Sequence, residues 1–214
     1  MIDNELLKRI ISSLIIIPVA LFFIIKGSFL FTSFILICFL ISSYEWHKMS
    51  NKKPYYLPGL LFLILSFYSA YIIRANDNNS LELFLYILIV CVSTDIGGYI
   101  FGKVFKGPKL IKISPKKTYT GVIGGYLMSI ILYFLFKKFN YGAEINSNDF
   151  IFILLISTIS QLGDITISYF KRLSKIKDTG KILPGHGGLL DRIDGMIFAF
   201  PVAYIIFKII KINF

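Results

Sequence analysis

Long apolar stretches recur along the whole chain, and they constrain its fold more than any other feature. Seven of them are candidate membrane spans, at residues 10–25, 29–44, 56–73, 81–101, 121–136, 150–170 and 195–213. A transmembrane helix needs about 20 apolar residues, with about 17 as a lower bound. The hydrophobic fraction of 56% lies above the range of ordinary soluble domains. The sequence therefore predicts an all-α polytopic membrane protein with about seven transmembrane helices.

The first two candidate spans are short, and only Lys26, Gly27 and Ser28 separate them. We interpret them as a tight hairpin or as a pair of tilted, partly re-entrant segments. A basic patch precedes the first span, as in a signal peptide. No small-residue cleavage site follows, so we interpret this segment as a retained span.

The distribution of basic residues predicts the orientation of the spans. If the N-terminus is cytoplasmic, most of the 23 Lys and Arg residues fall in segments on the cytoplasmic side. Positive residues are enriched in cytoplasmic loops of membrane proteins. The two long polar loops, residues 102–120 and 171–194, are therefore expected to face the cytoplasm.

Two carboxylates lie well away from the ends of predicted spans, Asp95 in the fourth and Asp164 in the sixth. An acidic residue within a membrane costs about 2.5–3.5 kcal/mol on insertion scales, and such residues are usually functional. Each lies six or seven residues before the predicted cytoplasmic end of its span, which is roughly 10 Å along a helix. We therefore expect both at one depth, although Asp95 could also make a polar contact between helices.

The sixth span carries polar residues at helical intervals, which predicts one polar stripe along it. The stripe consists of Ser157, Gln161, Asp164, Ser168 and Arg172. Asp191 and Asp194 precede the seventh span at the same predicted end, so several carboxylates can converge in a cytoplasm-facing polar pocket. Carboxylate oxygens are the ligands that Mg²⁺ prefers. The plainer alternative for Ser157 and Gln161 is hydrogen bonding between packed helices.

The basic loop, residues 102–120, allows two interpretations of its six lysines. As the flank of a membrane span, each would attract anionic lipid headgroups with about 1 kcal/mol. Alternatively, the lysines form a cradle for a polyphosphate and a phospholipid phosphate. Gly107-Pro108 and Ser114-Pro115 interrupt any continuous helix here. The glycines that follow, Gly121, Gly124 and Gly125, favour close helix packing.

The segment SYFKRLSKIKDTGKILPGHGGLLDRID, here called the signature segment (Ser168–Asp194), resembles the signature of the phosphatidate cytidylyltransferases, or CDP-diacylglycerol synthases. That pattern runs S-x-x-K-R, K-D-x-G and P-G-H-G-G-x-x-D-R-x-D, and every fixed position is present. The stretches SPKKTYTGVIGG and STDIGGYIFGK are similar to two further family segments. Thr120 stands where the family usually has Glu. The match is expected over 93–125 and 161–194, with the first 90 residues similar only in character.

The resemblance implies transfer of CMP from CTP to phosphatidic acid, with Mg²⁺ required and a second cation left open. It implies that Asp164 and Asp191 are metal ligands, with Asp95 and Asp194 as further ligands or as groups that support them. The expected catalytic residues are Asp164, Asp191, Lys171, Arg172, His186 and Asp194. The expected binding residues for substrate and phosphate are Ser168, Lys177, Asp178, Gly187, Gly188, Arg192, Lys116 and Lys117.

The same resemblance implies one integral membrane domain over 1–214, with N-terminal helices to residue 80 and catalytic helices and loops from 81. The expected partners are CTP, phosphatidic acid and the lipid bilayer, with no nucleic acid and with a homodimer left open. The expected location is a bacterial-type inner membrane, with the active site facing the cytoplasm.

Two kinds of alternative remain. One is a related CTP-dependent enzyme, a polyprenol kinase or a CDP-archaeol synthase, against which the intact signature segment argues. The other is an ion-coupled transporter that uses Asp95 and Asp164. A transport path needs polar residues on both sides of the membrane midplane, whereas the fourth and sixth spans are polar mainly in their predicted cytoplasmic halves.

Overall fold

The computed structural model describes a helical protein. It covers residues 4–75, 80–111, 114, 117–141, 146–183, 185 and 187–209. The helices are α1 (Asn4–Lys26), α2 (Ser28–Ser50), α3 (Tyr56–Ala75), α4 (Ser80–Phe105), α5 (Tyr119–Tyr141), α6 (Ser147–Leu173), α7 (Leu190–Ile193) and α8 (Met196–Tyr204), with a π-helical turn at Ile205–Ile209. Within these ranges there is no strand beyond two isolated bridges. The predicted all-α class is confirmed.

Five helices are long and apolar enough to cross a membrane. They are Ser28–Ser50, Tyr56–Ala75, Leu81–Phe105, Tyr119–Phe139 and Ser147–Leu173. The first and last predicted spans correspond instead to the shorter apolar helices Ser12–Lys26 and Met196–Phe207. A polytopic membrane protein is therefore supported by five helices in the described part of the chain, and the count of seven stays a prediction.

The chain divides into two compact units. The first unit consists of Met1–Leu81 and Phe170–Asp194, and the second unit of Glu82–Tyr169 and Gly195–Phe214. Most of the signature segment thus belongs with the N-terminal helices rather than with the helices that precede it in sequence. The single membrane domain expected for residues 1–214 stays a prediction.

In the first unit, α1 and α2 form a tight hairpin. Gly27 alone separates them and has φ of +66°, a conformation that glycine adopts without strain. Arg74 of α3 donates hydrogen bonds to the carbonyl oxygens of Ile24 and Ile25, at 2.9 and 3.2 Å, and so satisfies the end of α1. The structure therefore supports the tight hairpin of the two interpretations.

An aromatic cluster joins the end of α2 to α3 and to the end of α6 in the first unit. The ring centroid of Trp46 lies 5.3 Å from that of Phe170, and Tyr55 lies 4.8 Å from Phe170. The indole nitrogen of Trp46 donates a hydrogen bond of 3.0 Å to the carbonyl oxygen of Tyr56. This packing holds the end of α2, which also carries Glu45, against the end of α6.

In the second unit, α4 and α5 approach closely through glycine. A Cβ placed on Gly97 would lie 2.2 Å from the carbonyl oxygen of Gly124. The hydroxyls of Thr94 on α4 and Ser157 on α6 form a hydrogen bond of 2.8 Å, and the amide of Gln161 reaches Ser157 at 3.4 Å. The close packing of the glycines is confirmed, and so is the alternative of hydrogen bonding between packed helices for Ser157. The hydrogen bond of Gln161 stays within α6, so for Gln161 this alternative stays a prediction.

Gly97→Ala is expected to lower the free energy of unfolding by about 1–3 kcal/mol, because the new methyl group overlaps the backbone of α5. Gly98→Ala is the matched control. A Cβ on Gly98 would have its nearest neighbour at 3.7 Å, and the change from glycine to alanine raises the helix propensity at this position. The measurement is the apparent midpoint of thermal unfolding in detergent. Equal midpoints for the two variants would contradict the close approach.

Candidate functional site

Asp191 is the centre of a polar cluster in the first unit. Its Oδ1 accepts a hydrogen bond from the ammonium of Lys171 at 2.8 Å, and the two form an ion pair. Its Oδ2 accepts hydrogen bonds from the backbone amides of Thr179 at 2.8 Å and Gly188 at 3.1 Å. The side chains of Lys171 and Asp191 are only 11% and 6% exposed. Two of the predicted catalytic residues are therefore held together in a shielded environment.

The backbone of the signature segment folds tightly around Asp191. Gly187 has φ of +88°, and an antiparallel bridge pairs it with Leu183. A Cβ on Gly187 would lie 3.1 Å from Oδ2 of Asp191 and 3.4 Å from the Cβ of Asp178. The positive φ and this close approach explain why glycine is required there.

Glu45 of α2 also binds the signature segment, and our sequence reasoning missed it. Its side chain is buried at 1% exposure. One carboxylate oxygen accepts a hydrogen bond from the amide of Leu189 at 3.0 Å. The other accepts from the amide of Leu190 at 2.8 Å and from the hydroxyl of Thr179 at 3.0 Å. The sequence carried no clear signal for it, because the predicted span ends at residue 44 and only the structure shows that α2 continues to Ser50.

Asp164 is the centre of a separate cluster in the second unit. Its Oδ2 lies 2.5 Å from the ammonium of Lys117, and the side chains are 32% and 22% exposed, Asp164 being the more open. The hydroxyl of Ser168, one turn further along α6, donates to Oδ1 at 3.4 Å. Three predicted site residues therefore meet here, from α6 and from the basic loop.

The basic loop is compact where it leads into α5. The amide of Leu110 donates to the carbonyl oxygen of Lys117 at 2.8 Å, and Tyr119 donates to Pro108 at 3.1 Å. The hydroxyl of Thr120 accepts a hydrogen bond from the amide of Gly107 at 3.3 Å. Thr120, which replaces the family Glu, thus helps to close the loop whose Lys117 reaches Asp164.

The remaining predicted residues differ in their exposure. Arg172 is exposed and donates to the carbonyl oxygen of Ile176 at 3.1 Å, whereas Asp194 is buried. The other exposed ones are Asp95, Lys177, Asp178 and Arg192. His186 and Lys116 lie outside the described residues. The roles assigned to all these residues stay predictions.

Each of the two clusters offers a carboxylate oxygen that suits Mg²⁺ when substrate phosphates supply part of the coordination shell. Among the described residues, no group of three or more His, Cys, Asp or Glu side chains converges. Mg²⁺ is usually held by one or two carboxylates, with water and substrate phosphates completing the shell. The carboxylate of Asp164 is partly exposed. Among the described residues, Oδ1 of Asp191 accepts one hydrogen bond, from Lys171. These donors suit that mode of binding.

Comparison with known proteins gives consistent matches. The model of the cytidylyltransferase family matches residues 7–75 and 55–210. The phosphatidate cytidylyltransferase of Rickettsia typhi is 35% identical over 206 residues, which cover 92% of this chain and 89% of that protein. That of Rickettsia prowazekii is 36% identical over 206 residues, 92% of this chain and 90% of that protein. That of Haemophilus influenzae is 37% identical over 151 residues, 68% of this chain and 51% of that protein.

These matches confirm the resemblance and extend it. The family model covers residues 7–75, and the Rickettsia relatives align over most of the chain. The expectation that the first 90 residues are similar only in character is therefore wrong. The structure supplies a physical reason, because the N-terminal helices and the signature segment belong to one unit and meet at Glu45.

Proposed function

Because the chain belongs to the cytidylyltransferase family, we propose that it transfers CMP from CTP to phosphatidic acid, forming CDP-diacylglycerol and pyrophosphate. One observation carries the proposal: relatives named phosphatidate cytidylyltransferase are 34–36% identical over 92–95% of this chain. The enzyme class, a nucleotidyltransferase, follows from the family itself.

The chemistry needs no nucleophile from the protein. A phosphate oxygen of the lipid forms the new bond to the α-phosphorus of CTP, and the bond from that phosphorus to the bridging oxygen of the β-phosphate breaks. The electron pair leaves with pyrophosphate. The principal task is to bring two anions together and to stabilise the charge that develops, which fixed positive groups can do.

Two lysines of this chain offer positive charge for that task. Lys171 is held by Asp191, and Lys117 is held by Asp164, each within hydrogen-bonding distance. An ammonium group held by a carboxylate is already oriented, so less freedom is lost when a phosphate binds beside it. We assign phosphate binding to these two lysines and to the exposed Arg172, Lys177 and Arg192.

We propose that Asp164 and Asp191 each offer a ligand oxygen to Mg²⁺. When bound, the ion supplies positive charge that stabilises the phosphates and the leaving pyrophosphate. Asp164 has acceptor capacity left because, among the described residues, its Oδ1 accepts only the long hydrogen bond from Ser168. Asp191 would contribute Oδ1, since Oδ2 already accepts two backbone amides.

The proposed location is the inner membrane of a bacterium, with the site facing the cytoplasm, where CTP is made. Five helices of sufficient length and apolarity, together with bacterial relatives, support an integral membrane protein. The cytoplasmic side is proposed from the distribution of basic residues, which favours loops 102–120 and 171–194 on that side.

The direct test uses purified protein in detergent with phosphatidic acid and Mg²⁺. CTP labelled at the α-phosphorus is expected to transfer its label to the lipid, and CTP labelled at the γ-phosphorus is expected to release labelled pyrophosphate. Both transfers should stop when the divalent cation is chelated. Omission of phosphatidic acid is the control.

Other outcomes of this assay would identify the alternatives. Label from the γ-phosphorus in a lipid acceptor would indicate a kinase. Transfer of CMP to an archaeal-type ether lipid but not to phosphatidic acid would indicate a CDP-archaeol synthase. No transfer at all, together with ion uptake by proteoliposomes in the absence of CTP, would indicate a transporter.

A further inference from the structure

We propose that Glu45 is a positioning residue for the CMP-transfer reaction: from α2 it holds the signature segment in the shape that orients Asp191 and Lys171. This inference rests on the proposed function. It assigns to the N-terminal helices a part in the site that the signature segment alone does not contain.

Among the described residues, the hydrogen bonds of the Glu45 carboxylate all come from the signature segment. Its two oxygens accept three hydrogen bonds of 2.8–3.0 Å, from the amides of Leu189 and Leu190 and from the hydroxyl of Thr179. These donors lie 134–145 residues away in sequence. A carboxylate that accepts three hydrogen bonds while buried forms a strong and specific connection.

The two carboxylates, Glu45 and Asp191, bind neighbouring groups of the same backbone. Thr179 gives its hydroxyl to Glu45 and its amide to Asp191. Consecutive amides are also shared: Gly188 donates to Asp191, whereas Leu189 and Leu190 donate to Glu45. If the signature segment shifted where its backbone contacts Glu45, the two amides that orient Asp191 would therefore shift as well.

Two glycines of the signature segment fit this arrangement. A Cβ on Gly180 would lie 2.5 Å from Oε1 of Glu45, and a Cβ on Gly188 would lie 2.6 Å from Oε2. Any larger residue at either position would push the backbone off Glu45. The glycines thus serve close approach to this carboxylate, which is a requirement that phosphate binding alone does not explain.

Burial makes the connection sensitive to substitution. Glu45, Thr179 and Leu190 are at most 3% exposed, so water cannot replace a lost acceptor. Glu45→Gln keeps the shape but replaces one acceptor oxygen with a donor NH₂ group. In either orientation of the amide, at least one backbone amide loses its partner, which costs about 1–3 kcal/mol.

The test compares Glu45→Gln with Trp46→Phe as a matched control. Trp46 is the next residue on α2 and is also buried, but its hydrogen bond goes to Tyr56 of α3. Trp46→Phe keeps an aromatic ring that can pack against Phe170 but loses the hydrogen bond to Tyr56. It should therefore destabilise the first unit without removing a hydrogen bond to residues 179–190. For Glu45→Gln we expect kcat/KM for CTP to fall, and the Mg²⁺ concentration at half-maximal rate to rise, by about 10–100-fold, as for loss of a group that orients a metal ligand.

A second readout does not depend on activity. Hydrogen–deuterium exchange, measured without CTP or Mg²⁺, should become faster in Glu45→Gln for peptides that contain Thr179 and residues 188–190. It should remain at the wild-type rate there in Trp46→Phe. Thr179→Val, which removes only the hydroxyl donor, should change the kinetics and the exchange rates in the same direction as Glu45→Gln, but by a smaller factor. When the two substitutions are combined, their effects should be less than additive.

The outcomes separate the two proposals. Unchanged hydrogen exchange in Glu45→Gln would overturn the positioning role. So would changes of kinetics and exchange in Trp46→Phe as large as those in Glu45→Gln, when the two variants lose the same thermal stability. Absence of CMP transfer by the wild-type protein would overturn the proposed function instead, and the exchange comparison would still decide whether Glu45 holds the signature segment.

Discussion

Asp164→Asn is expected to reduce kcat/KM for CMP transfer by at least about 100-fold, which is the effect of removing one preorganised electrostatic group from a catalytic site. The substitution keeps the size of the side chain but removes the charge that binds Lys117 and, by our proposal, Mg²⁺. Because this carboxylate is 32% exposed, the apparent midpoint of thermal unfolding should change little. The measurement is pyrophosphate release as a function of Mg²⁺ concentration.

Glu82→Gln is the matched control for Asp164→Asn. Glu82 lies in the first turn of α4, in the same unit, and has no assigned part in the reaction. It should retain wild-type rates and the wild-type dependence on Mg²⁺. Near-normal turnover in Asp164→Asn, with an unchanged Mg²⁺ dependence, would contradict the role of Asp164 as a ligand.

Asp191→Asn should lose activity to a similar extent, but with a different effect on stability. Its carboxylate is 6% exposed and accepts from Lys171 and two backbone amides. An NH₂ group there must face at least one of these donors, which costs about 1–3 kcal/mol. A fall in the thermal midpoint should therefore accompany the loss of activity in Asp191→Asn and should be absent in Asp164→Asn.

The sequence identified candidate residues in the clusters around Asp164 and Asp191 more readily than it predicted which of them contact one another. Asp164 and Asp191 are identifiable because a carboxylate within a membrane span or within a specific motif is unusual. The pairing of Lys117 with Asp164 requires knowledge of how the basic loop folds, and six lysines at similar spacing do not single out one of them. Helical periodicity gives positions along a helix, but it does not give contacts between a loop and a helix.

Glu45 illustrates a second reason why the sequence was insufficient. The apolar stretch ends at residue 44, so hydropathy places Glu45 in the flank of the span, where an acidic residue is common. The helix in fact continues to Ser50, and the carboxylate is buried against backbone that follows it by more than 130 residues. A contact at that separation depends on the fold and leaves no local pattern in the chain.

The buried pair of Lys137 and Asp149 is a third contact that the sequence did not predict. It leads to a prediction of a large change in stability. The Lys137 ammonium lies 2.9 and 2.8 Å from the two oxygens of Asp149, and the side chains are 3% and 0% exposed. Asp149 also accepts from the hydroxyl of Tyr133 and the amide of Asn146, both at 2.8 Å. The pair joins the end of α5 to the start of α6, where each charge also suits the helix dipole.

Asp149→Asn is expected to lower the free energy of unfolding by about 3–5 kcal/mol, because it leaves Lys137 buried without its counter-charge. The double variant Lys137→Gln/Asp149→Asn should lose less than the sum of the two single variants, since no unpaired charge remains. Lys138→Gln is the control: Lys138 is adjacent but exposed, and its effect should stay within about 0.5 kcal/mol. The measurement is thermal unfolding in detergent at low and high ionic strength.

Ionic strength distinguishes a buried pair from a surface pair in this experiment. Salt screens exposed charges strongly and buried charges weakly, so the difference between wild type and Asp149→Asn should persist at high salt. CMP transfer at a temperature where the variant remains folded should equal that of wild type, because neither residue belongs to the proposed site. A stability loss that disappears at high salt, or additive effects in the double variant, would mean that Lys137 and Asp149 are not buried against one another and that another contact joins α5 to α6.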